Sequence, residues 1–119
     1  MPNARYDRGR KLEYETAADL IPRGWIVLRM AGSHGAADLI AARNGQIPLV
    51  IQCKKDGKIS RAERDKLLEL ATAMCARPLV AYWSKVGRAA RTVAYRELTG
   101  LDTEHWWTVW TPDHALEAS

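Results

Sequence analysis

Two kinds of apolar spacing alternate along the chain. Short runs rich in β-branched and aromatic residues are typical of buried strands, whereas apolar residues that return every three or four positions are typical of an amphipathic helix. The short runs predict five strands, within residues 25–30, 37–43, 46–54, 78–84 and 91–98, and a further aromatic segment spans residues 105–110. Most of the chain is thereby assigned to a sheet, with helices before and between its strands.

The first helical segment runs from about residue 10 to residue 21 and ends at Pro22 and Gly24. Its predicted inward stripe comprises Glu13, Ala17, Leu20 and Ile21. Glu15 falls in line with Asp19, on the predicted solvent side. Glu13 is therefore expected to point toward the sheet, and Glu15 away from it.

The second helical segment begins at Ser60, because Ser60 and Glu63 have the spacing of a capping box, and it ends before Pro78. Its predicted buried stripe comprises Leu67, Leu70, Ala71 and Met74. Thr111 and Pro112 have the pattern of a helix start, which predicts a short final helix.

The order of these elements, α-β-β-β-α-β with C-terminal additions, indicates an α/β fold with one mixed central sheet. Asn44-Gly45 between two strands is a strong hairpin signal, while the strand at residues 78–84 follows a helix and is expected to pair in parallel. At 119 residues the chain is expected to be one domain over residues 1–119, with a loose basic arm at 1–9 and a Trp-rich extension at 99–119.

Positive charge is concentrated in the body of the chain. The net charge is +4, but all 18 Lys and Arg and only ten of the 14 acids lie within residues 1–99, which gives that part a charge of +8. A basic body of this size suits a polyanion such as nucleic acid, through phosphate contacts and counterion release.

Cysteine usage and hydropathy exclude several classes of protein. Cys53 and Cys75 are the two cysteines, without a CxxC pair or a histidine at zinc-ligand spacing, so neither a disulfide framework nor a structural zinc site is expected. No apolar run approaches the roughly 18 residues of a membrane span, and residues 1–11 lack the apolar stretch of a signal peptide. We therefore expect a cytoplasmic protein with reduced thiols and no membrane partner.

Polar side chains interrupt the strands where the pattern calls for apolar ones. In LVIQCK, alternation places Gln52 and Lys54 side by side on one face, and the neighbouring hairpin strand can bring Asp38 close to them. Glu13 could complete the group from the first helix. Carboxylate, amide and main-chain oxygens, including the Cys53 carbonyl, are ligands that suit Mg²⁺, and a nearby lysine can orient water or offset phosphate charge. The alternative, a strand-start cap and two polar residues at a fraying strand end, fits the spacing equally well.

Three stretches of the chain, GRKLEYETAADLIPRGW, LRMAGSHGAADLIA and PLVIQCKK, resemble the archaeal-type Holliday junction resolvases, especially those encoded by phages. The match covers roughly residues 8–84 and keeps one order of features: Gly9 four residues before Glu13, Gly24-Trp25, a turn with Ser33, then Asp38, and Lys54 at a strand end. The resemblance implies the PD-(D/E)XK, restriction endonuclease-like nuclease fold. It also implies a structure-selective endonuclease that resolves four-way DNA junctions by paired symmetric nicks.

The resemblance further implies roles for single residues. Glu13 matches the helix Glu that assists metal or water binding, Asp38 the central metal ligand, and Lys54 the catalytic lysine. Gln52 occupies the place of the usual Glu and supplies an oxygen without a charge, so metal affinity should fall. Ser33 matches a turn serine near the scissile phosphate. The implied cofactor is Mg²⁺, with Mn²⁺ as a substitute, and the implied partners are branched DNA and a second copy of the chain, without a small-molecule cofactor.

Basic residues around this predicted site are candidates for DNA backbone contacts. The expected DNA-binding set comprises Arg5, Arg8, Arg10, Lys11, Ser33, His34, Lys55 and Lys58. For His34 a phosphate contact and simple solvent exposure both fit the sequence, and it is not assigned a catalytic role. Trp106, Trp107 and Trp110 fit the core or a dimer interface better than base stacking at a junction.

Three alternatives to an active resolvase stay open. A catalytically impaired protein could bind junctions without cutting them, because Gln52 is neutral. A repair or restriction-type nuclease could share the fold, although 119 residues leave little room for base-reading segments. A small cytosolic protein without a nucleic-acid role would show no salt-sensitive DNA binding. If the chain is phage-encoded, its compartment is the host cytoplasm.

Overall fold

A computed structural model describes residues 4–30, 35–85 and 87–112, with residues 4–9 described as backbone only. The chain begins with helix α1 (Ala4–Leu20), followed by a short 3₁₀ turn (Ile21–Arg23). Three strands follow, β1 (Ile26–Arg29), β2 (Leu39–Ala42) and β3 (Leu49–Cys53), and then helix α2 (Arg61–Met74). The described part ends with β4 (Arg77–Ser84), β5 (Thr92–Leu98) and β6 (Trp107–Trp110).

The six strands form one mixed sheet in the order β1-β2-β3-β4-β5-β6. Strands β3 and β4 pair in parallel across α2, as predicted from the intervening helix, and the other neighbours are antiparallel. The aromatic segment proves to be an edge strand that pairs with β5. The predicted α/β class and the mixed sheet are therefore confirmed.

Each face of the sheet carries its own core, which explains why β3 is apolar throughout. Leu49 and Ile51 pack into the cluster on the α1 side, whereas Val50 packs with Leu67 and Ala71 of α2 on the other side. All of these side chains are at most 3% exposed. A strand buried on both faces has few positions for polar side chains, so polar groups gather where β3 ends.

Helix α1 differs from the prediction in its start and in its buried face. It begins at Ala4, so residues 4–9 are helical rather than a loose arm, in keeping with the high helix propensity of Ala4, Arg5 and Arg8. The buried stripe is Leu12, Thr16 and Leu20, which confirms Leu20; Leu12 and Thr16 are buried instead of Glu13 and Ala17, and Ile21 is 54% exposed. Ile21 escapes burial because the chain turns into the 3₁₀ segment at this residue.

The prediction that Glu15 and Asp19 face solvent is wrong. Asp19 accepts a hydrogen bond from the Tyr95 hydroxyl at 2.7 Å, and Glu15 accepts one from the Trp83 indole N–H. Since α1 lies flat on the sheet, the side of the helix next to the buried stripe also meets β4 and β5. Two acids thus find neutral donors on the sheet.

Helix α2 has the predicted capping box at Ser60 and Glu63, but Met74 of the predicted stripe is 37% exposed because it lies in the last turn. Trp110 packs edge-to-face on Trp25 and Tyr95 and is 5% exposed, so its assignment to the core is confirmed. The predicted final helix lies outside the described residues beyond Pro112. Within the described ranges, no helix is both long enough and apolar enough to span a membrane.

Candidate active site

Asp38 lies immediately before β2, where the backbone fixes it on both sides. Its N–H donates to the Ile51 carbonyl at 2.8 Å, and its carbonyl accepts from the Met30 N–H at 2.9 Å. The carboxylate Oδ2 accepts a hydrogen bond from the Cys53 N–H at 2.8 Å. Asp38 is therefore tied to the end of β3, as the hairpin predicted.

The carboxyl group of Asp38 is half-buried among charged neighbours. Burial raises its pKa, and the Glu63 carboxylate acts in the same direction, whereas the Cys53 N–H and the Lys54 ammonium oppose the rise. Partial desolvation and a neighbouring acid both disfavour the ionised carboxylate, and a cation beside it would stabilise the ionised form.

Glu13 lies on helix α1, and its carboxyl group is close enough to Asp38 to be affected by its charge. Burial raises the pKa of Glu13, and the negative charge of Asp38 adds to the rise. Arg29, on β1, opposes it with its Nε 3.7 Å from the Glu13 carboxylate. The structure thus brings Glu13 and Asp38 within electrostatic reach of each other, although they start from different elements.

Gln52 and Lys54 complete the group at the carboxyl end of β3. Gln52 is half-buried in the strand beside Val80 of β4. Lys54 follows the strand, its N–H donates to the Ala81 carbonyl at 2.9 Å, and its ammonium forms an ion pair with Glu63 of α2. The Lys54 side chain therefore lies against α2, where its ammonium group contacts Glu63.

Glu63 is a site residue that sequence reasoning missed. Burial alone would raise its pKa, but hydrogen bonds from Lys54 and Ser60 outweigh this effect and lower it. Glu63 was assigned only to the capping box, and the nine positions that separate it from Lys54 gave no sign of an ion pair. The strand-to-helix loop that joins them is the signal that could have suggested the contact.

The donors at this site are oxygen atoms. In the described ranges, no three His, Cys, Asp or Glu side chains form a group that could hold a metal ion. The donors expected from the sequence are instead the carboxylates of Glu13 and Asp38, the Gln52 amide oxygen and the Cys53 carbonyl, and of these the two carboxylates are electrostatically coupled in the structure. Burial raises the pKa of the Cys53 thiol, which keeps it protonated and unsuited to bind a soft metal. An all-oxygen set with repelling carboxylates fits a hard cation such as Mg²⁺ or Mn²⁺.

A cationic and aromatic surface adjoins Glu13. The Tyr14 hydroxyl accepts hydrogen bonds from Arg10 at 3.0 Å and from Arg29 at 3.5 Å, and both guanidinium groups lie over its ring, at 5.7 and 5.1 Å from the centroid. These contacts lower the pKa of Tyr14, the hydrogen bond from Arg10 having the largest effect. Tyr14 and Arg29 were not predicted, because neither follows a chemical motif.

Comparison with known proteins places this geometry in a family. The model of the archaeal Holliday junction resolvase (Hjc) family matches residues 4–106. The chain belongs to this family. The match extends beyond the 8–84 segment that carries the resemblance in sequence, and it adds the whole of β5.

Two relatives show how close the likeness is. The crossover junction endodeoxyribonuclease Hjc of Methanocaldococcus jannaschii is 33% identical over 81 residues, which cover 65% of this chain and 59% of that protein. The structure of Hjc, a Holliday junction resolvase from Archaeoglobus fulgidus, superimposes with a TM-score of 0.58 at 27% identity, covering 74% of this chain and 70% of that one. The chain thus has the PD-(D/E)XK nuclease fold, while its alignment spans about three fifths of the curated relative.

The remaining predicted residues of this Hjc family member fall into two groups. Lys11, on α1, and Lys55 and Lys58, in the loop after β3, are exposed and available to a phosphate backbone. Outside the described residues lie Ser33, His34 and the side chains of Arg5 and Arg8. The described basic residues lie on segments that also contribute Glu13 and Lys54.

Proposed function

We propose that this chain is a divalent-metal-dependent endonuclease that resolves four-way DNA junctions by paired symmetric nicks. The observation that supports the proposal is the position of Asp38, which is hydrogen-bonded to the end of β3 and electrostatically coupled to both Glu13 and Lys54, in a chain of the Hjc family. Gln52 lies in β3, two residues before Lys54. The reaction is hydrolysis: a water oxygen forms a bond to phosphorus while the bond from phosphorus to one sugar oxygen breaks.

In this proposal each residue has one task. Asp38, Glu13, the Gln52 amide oxygen and the Cys53 carbonyl hold the metal ion, which when bound supplies Lewis-acid stabilisation of charge on the phosphate. Lys54 donates hydrogen bonds to the attacking water or a phosphate oxygen and offsets negative charge. Ser33 is proposed to contact the scissile phosphate. Mg²⁺ is the proposed ion and Mn²⁺ its substitute.

DNA is bound through its backbone and shape. The exposed Lys11, Lys55 and Lys58, together with the Arg10–Tyr14–Arg29 surface, offer positive charge on both sides of the carboxylates, and phosphate contacts of this kind carry no sequence information. Arg5, Arg8 and His34 are proposed to extend this surface. A four-way junction is two-fold symmetric, so we propose a homodimer whose two sites each nick one of two opposed strands.

A second candidate function is junction binding without cleavage. It is favoured by Gln52, which gives the site one acid fewer than the usual pattern, and by Lys54, which is engaged by Glu63. On this view the protein would recognise branched DNA and protect it or hold it for another enzyme.

One experiment separates these functions. The protein is mixed with a synthetic four-way junction or a linear duplex of the same sequence, in Mg²⁺ or EDTA, alongside Asp38→Asn. Paired nicks in the junction alone, abolished by EDTA and by Asp38→Asn, are the expected result. Tight junction binding without cuts in Mg²⁺ and Mn²⁺ would favour the binding protein, and cuts in the linear duplex would favour a restriction or repair-type nuclease.

A further inference from the structure

Lys54 lies where the end of β3 meets the start of α2. The Gly57 N–H donates to the Lys54 carbonyl at 2.9 Å and closes a tight turn, in which Gly57 adopts φ +75°. The Arg96 guanidinium donates to the Gly57 carbonyl at 2.9 Å, and a side chain at position 57 would collide with it. The turn is therefore fixed against β5, and it sets the distance between Lys54 and the first turn of α2.

Glu63 uses its two carboxylate oxygens for different purposes. Oε1 accepts a hydrogen bond from the Ser60 N–H at 3.3 Å, while the Glu63 N–H donates to the Ser60 hydroxyl at 3.2 Å. Oε2 pairs with the Lys54 ammonium. The capping box thus holds the Glu63 side chain in place and leaves one oxygen to face the site.

The Asp38, Lys54 and Glu63 charges form one electrostatic cluster on the α2 side of the sheet edge. The Asp38 carboxyl feels both the ammonium and the Glu63 carboxylate. In β3, the position that carries an acid in the resembling nucleases is the neutral Gln52. Without Glu63, the charges of Asp38 and Lys54 would cancel, and a divalent cation would meet little net attraction from this side.

We propose that Glu63 supplies from α2 the negative charge that Gln52 does not supply from β3, and that it acts as a positioning residue by holding the Lys54 ammonium beside Asp38. This inference rests on the proposed function for its catalytic consequence, but its electrostatic consequence is independent of DNA. The site then keeps its full complement of acidic charge, with one carboxylate moved from the strand to the neighbouring helix.

The chain offers substitutions that separate this role from helix capping. Glu63→Gln removes the charge but keeps the capping box, since Gln serves at the same position of that motif. Glu69→Gln removes an equal charge from an exposed position of the same helix and is the matched control. Gln52→Glu restores an acid in the strand, and the double variant Gln52→Glu with Glu63→Gln tests whether the two positions substitute for each other.

Two readouts are measured on each variant. Mn²⁺ affinity is determined by electron paramagnetic resonance of the protein without DNA, and junction cleavage is determined at saturating protein, with junction binding measured separately in EDTA. In Glu63→Gln we expect Mn²⁺ binding about tenfold weaker and cleavage slower by a similar factor. We expect unchanged junction binding, unchanged helix content and no effect of Glu69→Gln. In the Gln52→Glu background, the loss caused by Glu63→Gln should shrink to less than about threefold, because sites with a shared task are not additive.

Several results would overturn the inference. Equal Mn²⁺ affinity in Glu63→Gln and Glu69→Gln would show that Glu63 has no electrostatic role at the site. Faster cleavage in Glu63→Gln would show that Glu63 withholds Lys54 rather than positions it. A full additional loss in the Gln52→Glu background would show that the two positions are independent. If the wild-type protein cuts no junction, but Glu63→Gln binds Mn²⁺ about tenfold more weakly than the wild type, the proposed function fails and this inference stands.

Discussion

Among its described side chains, helix α1 carries three half-buried carboxylates, and they face two different environments. Glu15 and Asp19 accept hydrogen bonds from the neutral Trp83 and Tyr95, and Arg91 lies 3.5 Å from Glu15. Burial, together with the hydrogen bond to Asp19, raises the pKa of Tyr95, which keeps that hydroxyl protonated as a donor. Glu13 lies two residues before Glu15 in the helix but instead shares its surroundings with a second acid, Asp38.

The difference between the two environments distinguishes packing from chemistry. A carboxylate that accepts hydrogen bonds from neutral donors is satisfied, and its removal leaves those donors without a partner. Two carboxylates that repel each other need positive charge nearby. Arg29 and Lys54 supply part of it, and a bound cation would supply the rest. Acids of one helix can thus be structural on one face and functional on the adjacent one.

The largest expected effect separates Glu13 from Glu15 in catalysis. Glu13→Gln removes a proposed metal-site carboxylate, so we expect cleavage to fall by about 100-fold with junction binding in EDTA unchanged. Glu15→Ala should cleave junctions at the wild-type rate, because Glu15 contacts Trp83 and Arg91 rather than the site. Single-turnover cleavage of a four-way junction measures both, and equal losses in the two variants would remove the distinction.

The same pair should behave in the opposite way in stability. Glu15→Ala leaves the Trp83 indole N–H without its acceptor, and we expect the free energy of unfolding to fall by about 1 to 2 kcal/mol. Glu13→Gln relieves repulsion from Asp38 and should leave stability unchanged or slightly higher. Urea denaturation at neutral pH in EDTA measures both variants, and a larger loss of stability in Glu13→Gln would contradict the assignment.

A smaller effect is expected at the cationic surface beside the site. Arg29→Gln removes one of the two guanidinium groups on Tyr14, so we expect junction binding several-fold weaker and the slope of log K against log salt reduced by about one. Lys66→Gln, an exposed basic position of α2, is the control for net charge. If both variants weaken binding equally, Arg29 acts only through the net charge of the protein, and the Arg10–Tyr14–Arg29 surface is not a specific DNA contact.

Sequence alone predicted most of the fold and the proximity of Asp38 to the end of β3, for physical reasons that can be traced. Strand alternation in LVIQCK places Gln52 and Lys54 on one face whatever the rest of the fold does, and Asn44-Gly45 forces Asp38 next to that strand. Helical spacing was less reliable for α1, because Thr16 rather than Ala17 is buried, its hydroxyl donating to the Leu12 carbonyl at 2.7 Å. In the sequence Thr16 counts as a polar residue, and nothing there shows that its hydroxyl is satisfied within the helix. The predicted buried face therefore included Ala17 instead of Thr16.

What the sequence could not predict are contacts across elements. Glu63 reaches Lys54 only because the turn at Gly57 is held by Arg96, and Glu15 reaches Trp83 only because α1 lies across β4. Neither contact has a characteristic spacing. The site and the packing face of α1 therefore consist of the same residue types, and only tertiary structure tells them apart.

The smallest expected effect is on the pH dependence of stability, and it tests whether folding raises the pKa values of Glu13 and Asp38. Both acids have pKa values raised by folding, so the folded chain binds protons more readily than the unfolded chain above their ordinary values of 4.5 and 3.8. By linkage, their contribution to stability is most favourable at low pH and is lost as the pH rises through the raised folded values.

Asp38→Asn cannot ionise at position 38 and no longer raises the pKa of Glu13, which burial alone still raises, so it should lose less stability than the wild type as the pH rises. We therefore expect its Tm in EDTA to exceed that of the wild type by a few degrees at pH 7, and the gap to narrow as the pH falls below about 5. Added Mg²⁺ should narrow the gap at pH 7 by stabilising the wild type alone. A constant gap across pH would mean that folding does not raise the pKa values of the two carboxylates, and the site would then resemble Glu15 and Asp19, whose partners within the protein satisfy them.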